Sequence, residues 1–522
     1  MRMTASSSPK QANKWLVAST VMLPMLMVVL DTSVVNVALD HIRGSLSAGM
    51  DEATWSITAY LAANAVIIPM TGWISRLIGR KRYLLFSIVM FTVSSFLCGV
   101  AWNIESLIIF RILQGLTGGA MPPLSQAILL ESFPPSQYGM AIAIFGIGVS
   151  FGPILGPLLG GWITDVLTWN WVFFINVPIG VVSVIMALFV IHDPPYMKGM
   201  RMKIDYWGLI LLGLGVACLQ LLLDRGQRYD WFSSNTMIAF ALTAAFSLVL
   251  FIMVERRAEH PIVDLGVFRN YSFCLGNTAM FIFMANLYGT LVMLPIYLQT
   301  LMGYTATLAG LVLAPGGVAN LLSMPVIGKF LHRSNPKIFI VSGVILTAYS
   351  TLLMAGFTLG VDFGTVLWPR IYMGLGMGIL FIPLTTLTIA GIKKEDMGNA
   401  TALYNLIRNI GGSIGIAVVT TMVSRRAQFH QARLVEHLTP YDPTYFLTVR
   451  QGTALLRQRG LDPATADHGA LGVIYENTIK QATMLSFADV FSLLTWMMIV
   501  LIPLVLLMKN TKNEGQIQPG AD

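Results

Sequence analysis

Charge is scarce in this chain. Of 522 residues only 11% are Asp, Glu, Lys or Arg, where ordinary soluble domains carry about 25%. That excludes a soluble enzyme tethered by a single anchor. Cysteine is nearly absent: Cys98, Cys218 and Cys274 lie far apart inside apolar runs, which argues against a disulfide framework or a cysteine-held metal. The seven histidines, His41, His192, His260, His332, His430, His437 and His468, fall in expected loops or at span ends. None clusters with carboxylates or cysteines, so no metal centre is expected and no nucleophile–base pair is in view. A Gly-rich loop ending in Lys-Ser or Lys-Thr is missing, which argues against ATP hydrolysis. What the chain has instead is 55% hydrophobic residues, a mean hydropathy of +0.70, 47 glycines and 30 methionines. Small residues let membrane helices approach closely. The net charge of +8 fits basic loops at a membrane surface better than nucleic-acid binding.

A bilayer core takes roughly 20 apolar residues per helix. By that rule fourteen spans are expected, near 15–38, 54–75, 83–101, 105–130, 138–163, 170–191, 206–223, 235–254, 272–299, 307–328, 338–357, 364–391, 398–423 and 486–508. The first follows a short basic stretch but is too long for a signal-peptide core, so it reads as a retained helix. Orientation follows from Lys and Arg placement. With the N-terminus inside, the cytoplasmic segments hold 20 of them and the short outer loops 3. Residues 1–14 and 509–522 are therefore read as cytoplasmic tails.

The chain repeats itself. Arg111, Gly115, Gly119, Gly139, Ala141, Ala143, Gly152 and Gly156 recur 259 residues later as Arg370, Gly374, Gly378, Gly398, Ala400, Ala402, Gly411 and Gly415. Ala63, Asn64, Pro69 and Gly72 recur 256 residues later as Ala319, Asn320, Pro325 and Gly328. The reading is a six-helix half over 15–191, a linker over 192–271 carrying two extra helices, and a second half over 272–508. The second half includes a long polar outer loop at 424–485. Paired membrane halves imply alternating access, with the substrate site at the midplane between them.

Asp31 is the one acid deep within a span, and Arg111 lies at similar depth. A charge at the bilayer centre costs ~2.5–3.5 kcal/mol on insertion scales, so such residues are functional or paired. Two readings stand: a proton-coupling carboxylate paired to Arg111, or a permanent salt bridge holding helices 1 and 4. The second half has Leu287 at the position matching Asp31, so coupling would be carried by the first half. Helix position and chemistry nominate Asn36, Gln114, Gln126, Phe145, Tyr288, Arg370 and Tyr404 as lining the substrate cavity. Tyr404, Asn405, Arg408 and Asn409 form a polar stripe at helical spacing. Gly148, Gly152, Gly156, Pro157, Gly160 and Gly161 read either as a packing face or as a kinked gating helix.

Several of these stretches resemble the major facilitator superfamily, and within it the fourteen-helix drug:proton antiporters of the EmrB/QacA type. Residues 30–39 (Leu-Asp-Thr-Ser-Val-Val-Asn-Val-Ala-Leu) are similar to that family's helix-1 signature. The stretch from Gly72 through Gly79 and Arg80 to Lys81 resembles motif A. Arg111 with Gln114-Gly115 resembles motif B, and 148–161 resembles the antiporter motif C. Residues 171–180 and 295–310 resemble the family's helix-6 and helix 9–10 stretches. Leu223-Asp224-Arg225-Gly226 and the long loop before the last helix look like the EmrB branch of Gram-negative bacteria. The chain departs from the family at Arg76, where motif A usually carries an acid, and at Asp40, where the helix-1 signature usually ends in Pro.

The resemblance implies an all-α integral membrane protein of the inner membrane that exports amphipathic small molecules, drugs among them, in exchange for protons and with no cofactor. It also implies a periplasmic adaptor protein and an outer-membrane channel as partners. Export of one metabolite, siderophore or fatty acid is the alternative. An importer is disfavoured by the resemblance to motif C, and a membrane-embedded enzyme by the missing nucleophile–base pair.

Overall fold

Lipid offers backbone groups no hydrogen-bond partner, so a chain this apolar must satisfy them within helices. The computed structural model describes residues 13–194, 205–258, 261–331, 334–436, 438–439 and 441–508, apart from the side chains of 153, 154, 157, 158, 306 and 307. It is all helical, with no strand among the described residues.

The first half comprises α1 (Lys14–Ser45), α2 (Met50–Ile78), α3 (Arg80–Gly99), α4 (Ile104–Gly118), α5 (Met121–Ser132), α6 (Tyr138–Val166), α7 (Trp171–Phe174) and α8 (Asn176–Val190). The insert is α9 (Tyr206–Arg225) and α10 (Asn235–Glu255). The second half comprises α11 (Tyr271–Thr300), α12 (Ala306–Phe330), α13 (Pro336–Ala355), α14 (Phe363–Ile389), α15 (Met397–Val435), α16 (Pro443–Gln458) and α17 (Pro463–Leu507). Among the described residues thirteen helical segments are long and apolar enough to cross a bilayer. The 29-residue α6, with four side chains outside the description, is a further long apolar helix. Together they match the fourteen expected spans. Polar caps start many of them: Asn103, Asn270, Asp362 and Asp462 each accept from a backbone N–H of the first turn, which removes one of the orphan donors of a helix start.

One expectation is refined and one needs correction. The expected span at 105–130 is a single span, Ile104–Ser132, but its helix breaks between Gly118 and Met121. Pro122 and Pro123 lack the N–H groups that would carry the helix on. The 424–485 segment is not a loop. α15 and α17 run 39 and 45 residues, about 58 and 68 Å at 1.5 Å per residue, roughly twice a ~30 Å hydrocarbon core. Both continue past the membrane as polar helices, with α16 packed on α17. Asp489 clamps the pair, accepting from Arg426 at 2.5 Å and contacting His430 at 2.7 Å.

The repeat is visible as packing. A Cβ at Gly115 would meet the Tyr60 carbonyl, and one at Gly119 would meet Asn64; a Cβ at Gly374 would meet Gly316, and one at Gly378 would meet Asn320 and Ser323. These pairs carry the same 256- and 259-residue shifts as the sequence repeat. The antiporter-like stretch on α6 is likewise a packing face. Gly152, Gly156 and Gly160 lie against Val29, Ser33 and Val34 of α1. Gly161 has nothing within 4 Å of its would-be Cβ, so it is not part of that face. The side chain of Pro157 lies outside the described residues.

The halves meet on the side where α1 begins, here called the proximal side. Gly139 and Gly146 of α6 pack on Leu331, just past the end of α12, and on Met324 of α12, and Gly72 of α2 on Gly398 and Asn399 of α15. Asn320 donates to Ser150 at 3.0 Å, and Asn405 to Gln126 at 2.6 Å. Towards the distal side α6 turns its glycines to α1 of its own half instead. The insert straps one flank: Thr58 donates to Asp224, Gln220 to Ser413 at 3.0 Å and the Trp231 indole to Thr421 at 3.0 Å.

The α1–α6 contact predicts a contrast within one helix. Gly156→Leu forces a side chain into Ser33 and, as overpacking, should cost about 1–3 kcal/mol. Gly161→Leu enters open space and should cost nothing measurable. Thermal midpoints of the two variants in detergent, beside the parent, check this.

Candidate functional site

The deepest polar cluster of the first half gathers side chains from five helices. Asp31 (α1) and Arg111 (α4) are each 1% exposed, and Arg111 Nη1 lies 2.6 Å from Asp31 Oδ2. Gln114, one turn along α4, donates to Asp31 Oδ1 at 2.8 Å and accepts from Arg111 Nη1 at 2.7 Å. Asn176, at the first turn of α8, donates to Asp31 Oδ1 at 3.0 Å and to Ser95 of α3 at 3.0 Å. Arg111 Nε donates to the Ser56 carbonyl of α2 at 3.2 Å. The guanidinium also stacks 4.0 Å from the Tyr60 ring, a contact strengthened by the absence of water. Each carboxylate oxygen therefore accepts from at least one donor, and charge-assisted hydrogen bonds of this kind are the strong ones.

The second half lacks this arrangement. Arg370 occupies the place of Arg111, 6% exposed, and among the described residues its Nη1 donates to the Met373 sulfur at 3.4 Å while its Nε has no hydrogen-bond partner. Gly316 stands where the first half has Tyr60, and packs directly on the Arg370 backbone and side chain.

Between the halves, the Gln126–Asn405 and Ser150–Asn320 contacts form a layer. Above it the Arg408 guanidinium of α15 lies 5.8 Å from the Phe145 ring of α6. Tyr404, a turn below Arg408, is fully buried with its hydroxyl 2.5 Å from Thr385.

Sequence reasoning brought Asp31 and Arg111 together, and the structure pairs them. Gln114, nominated for the cavity, is instead wholly buried in their cluster. Asn36 and Tyr288 are exposed, and the Tyr288 ring lies over Gly412. Gln126, Phe145 and Tyr404 lie in or beside the midplane layer. Asn176 was missed, although an amide within an apolar span was a visible signal. In the motif A region Gly79 has φ +90°, a conformation glycine adopts without strain. Lys81 N–H donates to Asp193 at 2.8 Å, and Arg80 pairs with Glu131 beneath Gly398.

Two six-helix halves, packed alike and meeting across a polar midplane, define an alternating-access membrane transporter. The family model of the Major Facilitator Superfamily matches residues 21–416. The chain is 37% identical over 494 residues to the fatty acid resistance protein FarB of Neisseria gonorrhoeae, covering 94% of this chain and 96% of that one. It is 36% identical over 496 residues to the multidrug export protein EmrB of Escherichia coli K12, covering 94% and 95%. Haemophilus influenzae EmrB is 39% identical over 422 residues, covering 81% and 82%. Among solved structures, the human organic anion transporter MFSD10 aligns with a TM-score of 0.61 and a double-tryptophan variant of XylE with 0.60, each at 13% identity. The alignments cover 94% and 95% of this chain and 100% and 99% of theirs, a likeness of fold alone. The chain belongs to the major facilitator superfamily and, within it, to the EmrB-type family.

Removing one member of a buried ion pair costs about 3–5 kcal/mol, because the other charge stays buried alone. Arg111→Gln should therefore lower the thermal midpoint sharply. Arg111→Gln with Asp31→Asn should lower it by clearly less than the sum of the single changes. A double-mutant cycle by thermal unfolding in detergent checks this.

Proposed function

We propose that this protein is a proton-driven multidrug efflux permease of the bacterial inner membrane, with Asp31 as the coupling acid. The observation that carries the reading is the sealed Asp31–Arg111 pair, which ties α1 to α4 beside the glycine contact of α1 with α6. EmrB-type relatives named for multidrug export support the transport class. With both termini cytoplasmic, as the Lys and Arg distribution argues, the proximal side is the cytoplasm and the arrangement faces outward.

In this reading a proton entering from the periplasm neutralises Asp31. Arg111 then loses its counter-charge while remaining packed on Tyr60. The tie between α1 and α4 is released, and α1 lies on the glycine face of α6, which reaches α12 of the other half. Loss of the proton to the cytoplasm restores the pair and returns the transporter to this state. The ligand shifts the equilibrium only as far as its affinity for the two states differs.

A second reading, export of fatty acids, is favoured by the FarB relative from Neisseria gonorrhoeae. The extended α15–α16–α17 projection supports docking of a periplasmic adaptor, and through it an outer-membrane channel.

Two experiments test these readings. Adding drug to purified protein should release protons from the parent and not from folded Asp31→Asn. Equal release from both moves the proton site elsewhere and leaves Asp31 structural. For the projection, replacing residues 436–462 by a short Gly-Ser linker should abolish co-purification with the adaptor and leave drug-stimulated proton release intact. Retained adaptor binding sinks the docking reading.

A further inference from the structure

Three arginines lie within the spans, and their surroundings differ. Arg111 is paired with Asp31. Arg370 is sealed against α12. Arg408 is neither paired nor sealed. Among the described residues it has no ion pair, its Nη1 is buried without a hydrogen-bond partner, and the side chain is partly exposed. It is eleven residues into α15 from Met397, about 16 Å along the helix, near the middle of a ~30 Å core.

A cation at that depth is expensive and normally has a partner. The Phe145 ring, 5.8 Å away, is at the outer limit of the ~6 Å range for cation–π attraction, so it holds the guanidinium weakly. Asp31 is no rival counter-charge for a bound ligand: it is 1% exposed and already accepts from Arg111, Gln114 and Asn176. Among the described residues, the space between the halves therefore presents an unneutralised positive charge at Arg408, while the acid of the first half is already engaged. Below Arg408, the Gln126–Asn405 contact closes the floor.

We propose that Arg408 is the binding site for the acidic head of an amphipathic anion, a carboxylate on an apolar body. The planar guanidinium donates in a fork that matches a carboxylate. This deepens the efflux reading and rests on it for the direction of transport. It makes the pump selective for acids over quaternary ammonium compounds of equal tail length.

The test uses the full chain in neutral detergent and measures binding alone. Dodecanoate and dodecyltrimethylammonium, which share a tail, are titrated by calorimetry. The parent should prefer dodecanoate; a parent that prefers the ammonium compound overturns the proposal without any variant. Arg408→Gln should weaken dodecanoate by about tenfold or more, the scale of a lost charge-assisted hydrogen bond, and leave the ammonium compound unchanged or tighter. Arg408→Lys keeps the charge and should retain most of the affinity. Arg370→Gln should leave dodecanoate binding as in the parent. Unchanged dodecanoate binding in monodisperse Arg408→Gln, or loss in Arg370→Gln in its place, overturns the assignment. Because no proton gradient is involved, failed drug-driven proton release would sink the antiport reading and leave this one standing.

Discussion

The buried pair of Asp31 and Arg111 organises the first half. Desolvating two charges costs several kcal/mol per ion, and attraction repays this only when the remaining donors and acceptors are met. Here α4 gives Arg111 and Gln114, α8 gives Asn176, α2 gives the Ser56 carbonyl and α3 gives Ser95 as the second partner of Asn176. Those helices cannot drift apart without exposing a charge to lipid. The opposite face of α1 rests in the groove made by Gly152, Gly156 and Gly160. α1 is thus held between a polar knot on one side and a close backbone contact on the other. α6 in turn packs through Gly139 and Gly146 on the other half, against Gly328 and Met324 of α12.

The second half reaches the same shape by other means. Its glycine contacts repeat those of the first, at Gly374 on Gly316 and Gly415 on Ala285. Its polar knot is gone: Leu287 replaces the acid, Gly316 replaces Tyr60 and Met373 replaces Gln114. In membranes helix association draws on packing at small residues and on interhelical hydrogen bonds, and here neutral bonds such as Asn286 to the Leu494 carbonyl and Thr495 to Thr351 stand beside the glycine contacts. The duplicated scaffold is therefore structural, while the charge chemistry has diverged. One half carries a buried acid paired to its arginine, and the other carries arginines, Arg370 and Arg408, that, among the described residues, have no ion pair.

Much of this was legible in the sequence because lipid imposes strict rules. Span number followed from apolar length, and the repeat from glycine spacing, since a glycine needed for helix contact resists replacement. The Asp31–Arg111 pairing followed from depth counting. Hydropathy could not show that α15 and α17 continue as helices beyond residue 423 and before 486, because in water a polar helix and a polar loop look alike on that scale. The break after Gly118 was announced by Pro122-Pro123, yet an apolar run masked it. Whether an amide such as Gln114 or Asn176 faces a cavity or a buried carboxylate depends on helix rotation, which composition leaves open.

The departure at Arg76 bears on how the halves part. Motif A usually places an acid there; this chain places a base, and the acids facing it are Asp264 and Asp396, the latter at the start of α15. Among the described residues Arg76 makes no salt bridge with either, and its Nη2 is buried without a hydrogen-bond partner. All three side chains are only half-buried, and even paired charges of that exposure contribute about 0–1 kcal/mol. One proton moving through a 100 mV potential delivers about 2.3 kcal/mol. A face held by a few such contacts and by glycine packing is closed firmly enough to populate one state. In the proposed mechanism it remains weak enough for proton entry at a single buried acid to reverse it.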